Sequence, residues 1–280
     1  MGALGRGTSY AGNTDTLELI TVNPKKQTLT TTAIPRDTLV RVETKNKVEY
    51  TKINAAYALG GPTEIKKQVH ELLDVPVDYY ALVNMGGLEK TVDAVGGVTV
   101  NNPFAFKYEG HTYPKGKQYL NGSEALGYSR MRYDDPDNDY GRQKRGQQVL
   151  LSALTKVNKS KNIMQMNSLL DTAKDNVRTD LPLDDLMTLY KNYHGALANT
   201  QSDHLQGKNA TIDNFSFQIA PNKEMQRLSD NTRQALGLTK VKVNNIQTKM
   251  NDMQTNWNGY NNVNYVLPND AQVYIPVNKV

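Results

Sequence analysis

Cysteine is absent from the 280 residues. That removes disulfide frameworks, thiolate zinc sites, iron–sulfur clusters and cysteine nucleophiles from consideration. Long apolar runs are missing as well. With a mean hydropathy of -0.63, nothing within these residues reads as a membrane-spanning helix. The first stretch, MGALGRGTSYAGN, lacks the apolar core of a signal peptide and reads as a loop. Tryptophan occurs once and phenylalanine four times, against 16 tyrosines. Tyrosine buries a ring while keeping a hydroxyl, which suits a wet groove or a sugar-facing surface. Charge of one sign is only slightly in excess: 33 Lys+Arg against 28 Asp+Glu, a net +5. The cations are spread along the chain without a basic stripe, which argues against a protein that coats nucleic-acid phosphates. The surplus is compatible with anionic lipid, anionic glycopolymer or phosphate ligands.

Periodicity alternates between strand and helix. Strands are predicted over Leu17–Val22 and Thr28–Ile34, joined by the turn Asn23-Pro24-Lys25-Lys26, with a short one at Val40–Glu43. Gly60-Gly61-Pro62 opens a helix whose apolar face carries Ile65, Val69, Leu72 and Leu73. A buried strand follows at Tyr79–Val83, a helix at Gly86–Val95 and a strand at Val98–Val100. The stretch from Asn101 to Asn121 reads as loop, and Leu126–Met131 as a short helix. A long amphipathic helix starts near Tyr140, with Asp139 as its cap. Helices are expected at Ile163–Asp175 and Leu183–Leu197, a strand at Thr211–Ile219, and a helix at Glu224–Leu236 stopped by Gly237. Residues 244–264 hold eight asparagines and read as a loop-rich, partly mobile tail, with a last strand near Val266 and Val273–Ile275. The pattern predicts an α/β fold, a mixed α+β sandwich with a central mixed sheet flanked by helices. One domain over 1–280 accounts for it, since no repeat or second core pattern is evident.

The densest chemistry is YSRMRYDDPDNDYGRQKRGQQ, residues 128–148. Arg130 and Arg132 alternate, so an extended segment would point both to one side. Arg142 and Arg145 are three apart on a helix. They fall in its first turns, where cations are locally unfavourable and backbone N–H groups already favour an anion. Four guanidinium groups around one helix start call for a bound anion, with phosphate or pyrophosphate the natural candidate. The alternative is that Asp134, Asp135, Asp137 and Asp139 neutralise them as surface pairs. The acidic run is not an EF-hand loop, because its glycine comes one position late and its twelfth position is Gly146. Arg36 and Asp37 lie where a strand leaves its sheet, a frequent ligand position in α/β folds, or else form a local salt bridge. Asp15, among hydroxyl neighbours, either holds a hard cation such as magnesium or caps a turn. The four histidines show no metal spacing, and there is no nucleophile elbow, P-loop or dinucleotide fingerprint.

Taken in order, NTDTLELITVNP, AIPRDT, KINAAYALGG, VDAVGGVTV and LNGSEALGYSRMRYDDPDNDYGRQKRGQQ resemble the LytR-CpsA-Psr family over roughly residues 13–157. The resemblance implies a bacterial cell-envelope phosphotransferase. Such an enzyme moves a glycopolymer phosphate from a polyprenyl-pyrophosphate carrier to peptidoglycan, as in wall teichoic acid or capsule attachment. It also implies a hydrophobic groove for the lipid, and Mg2+ as cofactor. It places the domain on the extracytoplasmic face of the membrane, anchored by an N-terminal helix that these residues do not contain, and it implies no nucleic-acid partner. Carried over position by position, Arg36, Arg130, Arg132 and Arg142 hold the pyrophosphate as the catalytic set, and Asp15 holds the metal. Arg145 and Gln148 take a supporting, substrate-binding role, and Asp37 or Asp134 is assigned as base by chemical type. The family's upstream Gly-x-Asp-Thr strand, with its second metal-binding Asp, has no counterpart before Asp15, so weakened magnesium binding is expected. Two alternatives stand beside this reading: a non-catalytic binder of polyprenyl phosphate or glycopolymer, and a transcriptional regulator or attenuator, as older family labels have it. The second lacks a helix-turn-helix signature.

Overall fold

A mixed six-stranded sheet organises the chain. The computed structural model describes residues 2–3, 14–45, 47–159, 172, 176–259 and 265–275. In chain order the elements are β1 (Gly2–Ala3), β2 (Thr14–Asn23), β3 (Thr28–Ile34), β4 (Leu39–Glu43), β5 (Val48–Lys52), α1 (Ile53–Leu73), β6 (Ala81–Asn84) and α2 (Met85–Ala94). Next come β7 (Val98–Asn102), β8 (Phe106–Tyr108), β9 (His111–Tyr113), β10 (Gly116–Leu120), α3 (Gly122–Arg130), α4 (Asn138–Lys159) and β11 (Val177–Thr179). The last are α5 (Leu183–Tyr193), β12 (Asn199–His204), β13 (Lys208–Ile212), β14 (Phe215–Ile219), α6 (Asn222–Leu236) and α7 (Ile246–Asp252).

The main sheet runs β11-β6-β1-β2-β3-β12. β1 pairs parallel with β6 and antiparallel with β2, and β12 lies parallel to β3. Side chains alternate across β2. Leu17 and Leu19 face a core shared with Ile34, Leu72, Leu73, Met225 and Leu228, under α1 and α6. Glu18 is on the opposite face, where Gln147 of α4 meets it. Helices therefore cover both sides, the sandwich that the alternating pattern predicts. A second core joins α2, α3 and α4 to the β7/β10 and β8/β9 pairs around Phe106, Tyr113, Tyr128 and Val149. A third joins β4 and β5 to the β13/β14 hairpin and the C-terminal residues Met250, Tyr265 and Leu267.

Several expectations change. Gly2 and Ala3 are strand rather than loop. Strand β5 is additional to the expected elements, and α1 begins at Ile53, kinking at Gly61 (φ 66°), with its second half starting at Pro62 as the sequence predicts. The segment between Asn101 and Asn121, whose composition predicts loop, is built of β8, β9 and β10, strands of three to five residues too short to show alternation. β6 covers Ala81–Asn84, and Tyr79 before it is exposed. Asp139 lies inside the first turn of α4 rather than capping it. The expected strand at 211–219 is a hairpin, turning where Asp213 and Asn214 take positive φ. α5 stops at Tyr193 and continues as a 3-10 turn. The asparagine-rich tail contains α7, closed by a capping box between Asn245 and Thr248. Val273 makes an isolated bridge to Tyr50 instead of a final strand. The helix expected at 163–175 lies outside the described residues, apart from Thr172. Among the described residues no helix is long and apolar enough to cross a membrane.

Candidate active site

Three segments converge at one end of β2 and β3. The register Leu17↔Ile34 continues past the strand end and sets Asp15 across from Arg36. Arg36 Nη1 donates to Asp15 Oδ1 at 2.7 Å. The Arg36 backbone is held by a tight turn: Thr38 N and Oγ1 both donate to the Pro35 carbonyl, and Asn54 N donates to the Arg36 carbonyl. Strand exit and the start of α1 thus fix the Arg36 backbone, and Asp15 holds the guanidinium.

The start of α4 supplies the second arginine. Arg142 is buried and forks onto Asp139, with Nε to Oδ1 at 2.9 Å and Nη2 to Oδ2 at 3.2 Å. Its Nη1 donates to Thr16 Oγ1 at 3.1 Å, next to Asp15. Arg132 comes from the connection between α3 and α4, its Nε 3.9 Å from Asp139 Oδ1. Arg130 ends α3 and donates to Glu109 Oε1 at 2.7 Å. Its field still reaches Asp15. Burial raises the Asp15 carboxyl above its ordinary value, while Arg36, Arg142 and Arg130 pull it back. At Asp139 burial also works upward, but Arg142, Gln143 and Arg36 outweigh it and the carboxyl ends below its ordinary value. The arrangement is a partly open cage of guanidinium groups, each already holding a carboxylate.

The remaining assigned residues fall at different places. Arg145 is fully buried and points away from the cage: it pairs with Asp135 and donates to the carbonyls of Tyr128 (2.9 Å) and Met131. Its guanidinium also lies over the rings of Phe106 and Tyr128. It fastens the α3–α4 connection that carries Arg132. A Cβ at Gly141 would collide with the Asp135 carboxylate, so this close approach requires glycine. Arg142 and Arg145 are thus neighbours in sequence that serve different structures. Gln148 accepts from the Asn101 backbone N–H, on the β7 side of α4. Asp37 lies beside Arg36 (3.9 Å) and pairs with Lys52 at 2.8 Å. Asp134 is exposed on the connection next to Tyr133. Lys52, Thr16 and Glu109 carry no motif signal of their own in the sequence. Lys52 begins the KINAAYALGG segment, and only the fold shows that it leans onto Asp37.

A hard cation needs oxygen ligands. Among the described residues no group of three or more His, Asp or Glu is placed to hold a metal. Asp15 is a half-buried carboxylate at the cage, with 18% side-chain exposure. Magnesium is commonly held by one or two carboxylates completed by substrate phosphates. The donor set at Asp15 fits that pattern only with phosphate oxygens as co-ligands.

Comparison with known proteins agrees with this architecture. The family model described as "LytR_cpsA_psr family" matches residues 1–234, well beyond the segment of strongest motif resemblance. A polyisoprenyl-teichoic acid–peptidoglycan teichoic acid transferase TagU from Halalkalibacterium halodurans is 37% identical over 235 residues, covering 84% of this chain and 77% of the relative. The crystal structure of protein gbs0355 from Streptococcus agalactiae superposes with a TM-score of 0.78 at 34% identity, over 88% of each chain. A structure of TagT bound to LIIa-WTA gives a TM-score of 0.68 at 27% identity, over 81% of this chain and 86% of that one. The chain belongs to the LytR_cpsA_psr family.

Proposed function

We propose that this chain is a transferase that moves a teichoic-acid-type glycopolymer from a polyisoprenyl carrier to peptidoglycan. Two things support the reading: the 37% identity to a teichoic acid transferase, and the meeting of Arg36 and Arg142 over Asp15 and Asp139 at one end of β2 and β3. The latter observation carries it, because a cluster of arginines partly open to solvent is suited to a multiply charged phosphate.

In the proposed reaction an acceptor hydroxyl of peptidoglycan attacks the phosphorus that bears the glycopolymer. A new P–O bond forms, the bridging P–O bond of the pyrophosphate breaks, and polyprenyl phosphate leaves. Negative charge accumulates on the transferring and leaving oxygens. Arg36, Arg130, Arg132 and Arg142 stabilise it electrostatically, with little covalent work for the protein. The hydroxyl proton goes to a carboxylate. Asp37 is the better placed of the two candidates, beside Arg36 and held by Lys52, while Asp134 lies out on the connection. Magnesium, held by Asp15 and phosphate oxygens, would add positive charge at the leaving group. The proposal includes an apolar groove for the prenyl tail and action at the extracytoplasmic face of the membrane.

The test is in-vitro transfer from a lipid-linked donor to peptidoglycan oligomers. Arg142→Ala is expected to lower kcat by about 100-fold to 1,000-fold, the effect of removing one oxyanion-stabilising donor. Undiminished transfer by Arg36→Ala and Arg142→Ala would refute the cage as the site.

A further inference from the structure

The hairpin β8–β9 ends in a two-residue turn at Glu109 (φ 47°) and Gly110 (φ 80°). Two successive positive φ values are the signature of a type I′ turn, which favours Asn, Asp or Gly at its first position. Glutamate is a poor choice there on backbone grounds, because its Cβ is crowded in the left-handed region. What the side chain gains is Arg130, whose Nη1 donates to Oε1 at 2.7 Å.

The hairpin is held in place for this contact. Tyr113 Oη donates to the Glu124 carbonyl of α3 at 2.8 Å. Phe106 stacks against both Tyr113 and Tyr128. A Cβ at Gly127 would strike the Tyr113 hydroxyl, so α3 and the hairpin approach as closely as glycine allows. The carboxylate is therefore delivered to Arg130 from a firmly packed element, while the pair itself stays partly open to solvent, at 26% and 34% side-chain exposure. Arg130 is also one of the arginines acting on Asp15. It belongs to the cage but is engaged from outside it.

We propose that Glu109 is a counter-anion for Arg130 that competes with the pyrophosphate of the donor and so sets donor affinity. Carboxylate and phosphate are alternative partners for the same guanidinium N–H groups. Asp15 and Asp139 each lie among several cage arginines, whereas Glu109 reaches Arg130 from a hairpin tip. Its side chain is partly open to solvent, at 34% exposure, so solvent and phosphate can reach the pair. The inference rests on the reading of the cage as a phosphate site, and it makes Glu109 a positioning residue rather than a catalytic one.

The test is calorimetric titration of inorganic pyrophosphate, without added divalent cation, into the folded protein and its variants. Glu109→Gln removes the charge and keeps the shape. Glu109→Asn removes it with a residue better suited to the turn. Both are expected to bind pyrophosphate about twofold to fivefold more tightly than the parent, the range that a partly exposed ion pair supports. In an Arg130→Ala background neither substitution should change affinity. A purely structural role would separate the two variants and persist without Arg130. Equal or weaker binding by both, with binding still dependent on Arg130, overturns the competition while leaving the cage intact. Pyrophosphate binding that is absent, or indifferent to Arg130, overturns the cage reading and this inference with it.

Discussion

Removing the carboxylate of Asp135 is expected to damage stability far more than any substitution within the cage. Asp135 and Arg145 are 4% and 1% exposed in their side chains. Asp135→Ala would leave a guanidinium in the interior with only two carbonyls to satisfy it. Breaking one side of a buried pair in this way costs about 3–5 kcal/mol. The Asp137 N–H, which donates to Asp135 Oδ1 at 2.7 Å, loses its acceptor too. A protein of this size loses roughly 2–4 °C in Tm per kcal/mol, so the expected drop is about 6–20 °C, read by differential scanning calorimetry. The double variant Asp135→Leu, Arg145→Met should recover a large part of that loss, since an apolar replacement of a buried pair is often neutral or better. A single-variant Tm within a degree or two of the parent would show that water reaches the pair and that the connection is not fastened as argued.

Glu18 provides a pH test. Burial raises its carboxyl to about 7, and its Oε1 lacks a hydrogen-bond partner. The folded state then holds the proton more tightly than the unfolded one, so stability falls as pH rises from about 4.5 to about 7 and levels off above that. Glu18→Gln should raise Tm at pH 8 by an amount worth up to about 3 kcal/mol, the linkage value of a shift from 4.5 to about 7, and have almost no effect well below pH 4.5, where both states are protonated; an equal effect at both values would disprove the assignment. Asn245→Ala should cost about 1–2 kcal/mol in chemical denaturation, because that side chain caps α7 and also donates to the carbonyls of Glu71 and Leu72. Gly141→Ala should lower Tm by forcing Asp135 aside; an unchanged value would mean the contact is slack. Lys52→Met should lower transfer rate with little loss of fold if Asp37 works as base beside Arg36; unaffected turnover would remove Asp37 from that role.

Much of this organisation is legible in the sequence because its signals are long. The β2–β3 hairpin, the α1 half after Pro62, and α6 with its Gly237 stop each display several periods of their pattern. β8, β9 and β10 display one or two, so tertiary packing on α3 determines them more than local preference does. The site divides the same way. Arg36 and Arg142 can be named from strand exit and helix start. The separate fates of Arg142 and Arg145 cannot, because three residues along a helix turn a side chain by most of a revolution and the neighbours on each side decide its partner. Glu109 was invisible for a related reason: its segment shows no period, and its relation to Arg130 exists only across the hairpin contact. The asparagines near position 245 suggest a loose tail by composition, yet Asn245 and Asn251 serve as cap and cross-link, with Asn251 Nδ2 donating to the Ala220 carbonyl.

The charge arrangement explains how a cage of arginines persists before any ligand arrives. Arg142 stands in the first turns of α4, where the helix dipole opposes a cation. Asp139, one turn back, answers both the dipole and the guanidinium. Asp15 does the same for Arg36 at the end of β2, and Glu109 for Arg130. Arg132, 3.9 Å from Asp139, is the loosest of the four and the most exposed. On the proposed reading, a pyrophosphate entering this site would exchange carboxylate contacts for phosphate contacts instead of ordering bare cations. The reorganisation expected on that reading is one of side chains, because the Arg36 backbone is held by its strand-exit turn and the α3–α4 connection by the Arg145–Asp135 pair. It follows that weakening that pair should loosen Arg132 before Arg36 or Arg142. Transfer by a partly destabilised Asp135 variant, assayed well below its Tm, should then resemble the loss caused by Arg132→Ala.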